Sequence, residues 1–182
     1  MEKSLFETQD YQLTEIDIEN DPKVDSVLTN NLNYARLWSQ GLIKPLSDFQ
    51  LSKIYEKIEK KVDAGHVIHF AVREKTGGQL IGFVQFNQIL WNHGVARLKI
   101  GVGDEHHLES ALPQLLSLCL EYAFHELNMY RLEIDVPAYD VNLSQAVTQA
   151  GFKKEVTNRE VIYHLGKYWD EIGYGILKPE WQ

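Results

Sequence analysis

The chain has 182 residues, 44% of them hydrophobic and 11% aromatic, and a formal net charge of −8. That supplies core for one domain and argues against bulk disorder, while the acid excess lacks the basic stripe that nucleic acid requires. No apolar run approaches the ~20 residues of a membrane span, Met1–Asp10 has no basic head followed by an apolar stretch, and the lone Cys119 cannot form an internal disulfide, so a cytoplasmic location is expected.

Tyr11 to Ile18 alternates apolar and polar residues, the period of a half-buried strand. Asp21 and Pro22 then open a helix expected to run to about Trp38, broken by Gly41 to Pro45. Ser47-Asp48-Phe49-Gln50 is a capping-box pattern. It starts a helix whose apolar face reads Leu51, Ile54, Ile58 and Val62, and which stops at Gly65. Strands follow at Val67–Arg73, Leu80–Ile89 and Ala96–Val102, joined by turns at Thr76–Gln79 and Asn92–Gly94. A helix from about Ser110 to Leu127 puts Pro113 in its first turn. Next come a strand at Arg131–Val136 and a short helix at Asn142–Ala150 ending at Gly151. Phe152–Thr157 and Glu160–Leu165 read as a final hairpin. A helix between two strands implies a parallel pair and short turns imply antiparallel ones. The fold class is therefore α/β, a mixed and mostly antiparallel sheet with helices on its faces, spanning residues 1–182 as one domain.

The stretch Ala96–Phe124 carries the chemistry. A strand entering a helix through a short loop aims free backbone N–H groups at one spot, which attracts phosphate. Such loops use glycine so that the backbone can approach the ligand. Here Asp104–Ser110 holds no glycine and three acids, Asp104, Glu105 and Glu109.

Four stretches resemble the GNAT N-acetyltransferase superfamily, and within it the ribosomal-protein alanine acetyltransferase group. They are Leu80-Ile81-Gly82-Phe83, Ile100-Gly101-Val102-Gly103-Asp104, Tyr122–Asn128 with Arg131-Leu132, and the C-terminal Gly151-Phe152, Gly166–Glu171 and Gly175–Trp181. The resemblance covers about residues 66–182; the first 65 residues match in element order only. It implies a splayed parallel strand pair that holds acetyl-CoA as co-substrate. A neutral amine then attacks the thioester, a base takes the amine proton and an acid protonates the thiolate. It assigns cofactor binding to Ile100, Gly101 and Val102, to His107, Leu108, Glu109, Ser110 and Ala111 of the loop and helix start, and to Asn142. Ser144 and Tyr139 become candidate acids and Glu133 the candidate base.

The chain departs from the family in its glycine-free phosphate loop, in the close spacing of Asn142 and Ser144, and in Val147, which stands where many members have a tyrosine. Arg97 and Lys99 occupy the start of the cofactor strand, where the family also uses acids. Glu133 and Asp135 share one strand face and serve equally as a solvated face. His106-His107 lacks the companions of a metal site, so no metal is expected. The acceptor implied is a peptide N-terminus or a small amine, with no nucleic acid or membrane partner. The surplus acid serves either a cationic acceptor or solubility. Trp38, Trp91, Trp169 and Trp181 suit either core packing or a homodimer patch. The alternative function is a GNAT-fold binding or regulatory module without turnover.

Overall fold

The computed structural model describes residues 5–39 and 42–181. Seven strands form one sheet in the order β1-β2-β3-β4-β5-β7-β6. They are β1 (Tyr11–Thr14), β2 (Ile68–Glu74), β3 (Leu80–Leu90), β4 (Val95–Val102), β5 (Arg131–Pro137), β6 (Lys153–His164) and β7 (Lys167–Leu177). Neighbours are antiparallel except β4 and β5, which the helix α4 (Leu108–Glu121) connects as a parallel pair. This is the mixed sheet expected from the sequence.

Helices α1 (Asp21–Leu28), α2 (Leu32–Trp38) and α3 (Asp48–Asp63) precede β2, and α5 (Val141–Gln149) follows β5. The single early helix expected up to Trp38 is two. Asn31 breaks it, because its Oδ1 accepts the amides of Asn33 and Tyr34 at 3.0 and 3.2 Å and starts a new helix. The Gly41 breaker lies outside the described residues. The Ser47–Gln50 capping box forms as expected, with Ser47 N–H donating to Gln50 Oε1 at 3.0 Å. The buried face of α3 is rotated from the expected one: Leu51 and Tyr55 are buried, whereas Ile54 and Val62 are exposed. Tyr55 turns inward because its hydroxyl, like that of Tyr34, donates to the buried Asp25 carboxylate, at 2.6 and 2.9 Å. That bond set ties α1, α2 and α3 into one unit over Ala71, Leu80 and Phe83.

The opposite face holds the larger core, where Leu115, Leu116 and Cys119 of α4 meet Phe86, Leu98 and Ile134. Each fully buried Leu or Phe there contributes about 1.5–3 kcal/mol. Since α4 begins at Leu108, Pro113 sits in its second turn rather than its first and removes the N–H that would bond the Glu109 carbonyl in a regular helix. The helix closes in a π turn at Tyr122–Glu126. The expected last hairpin is instead one long strand, β6, kinked where Glu160 takes φ 53°. The reversal comes at Leu165-Gly166, both at positive φ, and β7 supplies the partner strand.

Candidate active site

β4 and β5 stay in register only from Val95↔Arg131 to Leu98↔Ile134. Beyond that point β4 remains bonded to β3 through Val102, and β5 to β7 through Pro137. Both strands are thus anchored on their outer edges while their inner edges part. The β4 edge from Lys99 to Val102 presents unpaired peptide groups to the gap. Helix α2 closes the gap from one side. A Cβ on Gly101 would lie 2.6 Å from Leu37 Cδ2 and 2.7 Å from Trp38 Nε1, so only glycine allows so close an approach.

A cavity of about 180 Å³ fills the gap, lined by Gly101, Val102, Leu108, Tyr139 and Asn142 among others. It shares Leu37, Ile100 and Leu143 with a cavity of about 640 Å³ toward α3. On its other side it shares Leu108, Leu112 and Asn142 with a groove of about 330 Å³ between α4 and α5. The three make one long cleft. Seven of the residues singled out in the sequence stand on its walls: Ile100, Gly101, Val102, Leu108, Glu109, Asn142 and Tyr139. Ala111 faces the core from the first turn of α4 and is fully buried.

The glycine-free loop is pinned from within. Asp104 Oδ1 accepts the His106 amide at 3.0 Å, and Glu105 accepts from Asn31 Nδ2 at 3.3 Å. The Tyr11 hydroxyl bonds Ser110 Oγ at 2.6 Å and lies 3.1 Å from His107 Nδ1. The first helical bond of α4 runs from the Ala111 amide to the His107 carbonyl at 2.8 Å. The amides of Leu108, Glu109 and Ser110 therefore precede the helical ladder and suit an anion. The exposed Glu109 carboxylate on the groove wall opposes one.

The three proposed proton-handling residues differ sharply in surroundings. Ser144 hydrogen-bonds Tyr174 Oη at 2.8 Å and lines neither cavity at the strand gap. Glu133 accepts from Arg97 at 2.7 Å and Arg131 at 2.8 Å. Burial would raise its pKa, but the bonds from Arg131 and Arg97 prevail and hold it below the usual carboxylate range. Tyr139 lines the central cavity with its ring stacked on His164 at 4.1 Å. Its hydroxyl is buried and has no partner among the described residues. Burial, then the charge of Asp140, pushes its pKa up, which keeps the proton in place at neutral pH.

Two residues went unassigned in the sequence. Lys99 projects from the gap edge of β4 into the large cavity, its ammonium 5.4 Å from the Trp38 ring. Burial lowers its pKa. Glu171 of β7 lies opposite Pro137, and burial followed by the Asp135 charge raises its pKa. The alternation of Glu133 and Asp135 along β5 pointed to this face. Nothing local revealed that β7 brings Glu171 to it.

A model of the acetyltransferase (GNAT) domain family matches residues 33–172. The chain belongs to that family. The fold, reaction class and donor expected from the sequence therefore hold: this GNAT domain is an acetyl-CoA-dependent N-acetyltransferase. It is 27% identical over 143 residues to a probable N-acetyltransferase, YjcK, of Bacillus subtilis, covering 78% of this chain and 74% of that one. It is 26% identical over 156 residues to the spermidine N(1)-acetyltransferase of Vibrio cholerae, covering 85% of this chain and 86% of that one. The crystal structure of the Vibrio cholerae spermidine N-acetyltransferase in complex with CoA and spermine superposes with a TM-score of 0.79 at 23% identity, over 95% of this chain and 98% of that one. These relatives support GNAT membership without selecting the ribosomal-protein group within it. Among the described residues no helix is long and apolar enough to cross a membrane, and no three His, Cys, Asp or Glu side chains gather as metal ligands.

Proposed function

We propose that this GNAT domain acetylates the primary amine of a small molecule, holding acetyl-CoA along the parted edge of β4. The observation that carries the reading is the separation of β4 from β5 after Leu98 and Ile134, with a cleft running through the gap. Peptide groups of Ile100, Gly101 and Val102 face the amide-bearing arm of the donor as a missing strand would, and the start of α4 faces its phosphates. The acetyl thioester supplies the electrophile. The amine nitrogen forms the new bond to the acetyl carbon as the carbon–sulfur bond breaks. Tyr139, buried and protonated, gives its proton to the departing sulfur. Glu171, with its pKa raised, takes the amine proton. Glu133 stays ionised and orients Arg97 and Arg131, while Ser144 braces α5 against Tyr174.

The spermidine-acetylating relative favours a small amine over the peptide N-terminus that the ribosomal-protein likeness implies. A second reading, a module that binds without turnover, is favoured by the Glu109 charge at the phosphate end. Titration calorimetry with acetyl-CoA, followed by thiol-release assays on a panel of amines, tests both. Saturable heat with turnover is expected. Heat without turnover selects the second reading, and no heat at millimolar donor removes both.

A further inference from the structure

The charges lining the large cavity are Lys61, Arg97 and Lys99 against the single acid Asp135. Asp135 already lies 3.1 Å from Arg97, which also binds Glu133. Lys61 and Lys99 are left without an ion pair within 4.0 Å among the described residues, although the whole chain carries a net charge of −8. Lys99 is the best placed of these groups. It stands one residue past the last β4–β5 pair, partly buried, with its ammonium over the Trp38 ring. Among the described residues no carboxylate comes within 4.0 Å of its ammonium, and Asp135 and Glu171 act on it only from farther away. A half-buried cation with no carboxylate in contact is stabilised by a ligand carboxylate and destabilised by a polyamine. Asp135, which lines the same cavity, suits the other end of that ligand, its amine. Resting on the acetyl-transfer reading above, we propose that the acceptor carries a carboxylate next to its amine, as a free amino acid does, and that Lys99 binds that carboxylate. Lys99 thereby selects against polyamines and amides.

The test is initial-rate acetylation of the proteinogenic L-amino acids, each paired with its own amide, and of spermidine. The amide's amine is the less basic, so amine ionisation alone favours the amide and cannot create a preference for the acid. In the wild type the best amino acid should exceed its amide in kcat/KM by on the order of ten- to hundred-fold. Lys99→Met should bring that ratio close to one, Lys99→Arg should retain part of it, and Lys60→Met on the exposed side of α3 should leave it intact. An amide that matches its acid, spermidine outrunning every amino acid, or a ratio that survives Lys99→Met overturns the proposal. Should Lys99→Met fail to fold, the wild-type ratios decide. Transfer to no probe at all also overturns it. Calorimetric binding of acetyl-CoA then shows whether the acetyl-transfer reading stands without it or falls with it.

Discussion

The loop ahead of α4 and the cavity beside Lys99 belong to one cleft but treat their polar groups in opposite ways. In the loop, Asp104, Glu105, His107 and Ser110 all have partners within the chain. Around the strand gap, the Tyr139 hydroxyl and Arg97 Nε are buried with no hydrogen-bond partner among the described residues. The loop is therefore complete before any ligand arrives and contributes shape and a few backbone donors. The gap is completed by what binds there, so both chemistry and acceptor choice should depend on it, since unmet buried polar groups are costly.

Substitutions at the gap should consequently outweigh those at the loop. Tyr139→Phe keeps the ring stack and removes the proton, and should lower kcat by about 100- to 1000-fold. Glu171→Gln should remove the acid-side limb of the kcat/KM profile. In the wild type that limb falls as pH drops through a value above the usual carboxylate range. If both variants retain wild-type rates and profiles, proton transfer runs through other groups.

A smaller effect concerns stability. Burial, with help from the Lys99 charge, depresses the His69 pKa from 6.5 to about 4. The unfolded chain then binds more protons than the folded one across that window. Stability should be full above pH 6.5 and decline toward pH 4, by up to about 3 kcal/mol. Denaturant melts of His69→Phe should lack that decline; an unchanged slope would place it on other groups. The smallest effect belongs to the loop. Glu109→Gln should tighten acetyl-CoA binding by about two- to five-fold, since an exposed charge acts weakly through water. A change of a hundredfold would mean that the loop, not the gap, governs affinity.

Local chemistry was readable in the sequence and long-range register was not. The Ser47–Gln50 cap, the strand–loop–helix at Ala96–Phe124 and the parallel pair each follow from residues close in the chain or from the order of elements. Asn31 as a helix start was also readable, since an Asn before an apolar helical run is a cap signal, but the Asp21-Pro22 start was extended through it to Trp38. Tyr55 faces inward because of Asp25, 30 positions away, and Glu160 adopts positive φ in mid-strand while its amide donates to Asp170. Neither contact has a local signature. The site divides in the same way. The β4 backbone was proposed from motif positions and Tyr139 as a neighbour of the position that Val147 occupies, whereas Glu171 is proposed only because β7 lies beside β5. The point at which β4 and β5 part depends on the outer strands that hold them.

Amide hydrogen exchange across β4, with and without coenzyme A, bears most directly on the parted edge. Coenzyme A should slow exchange of at least one amide between Lys99 and Val102 while leaving the already paired Val95–Leu98 segment unaffected. Saturating ligand that leaves exchange of the 99–102 amides unchanged would mean the donor does not lie along this edge.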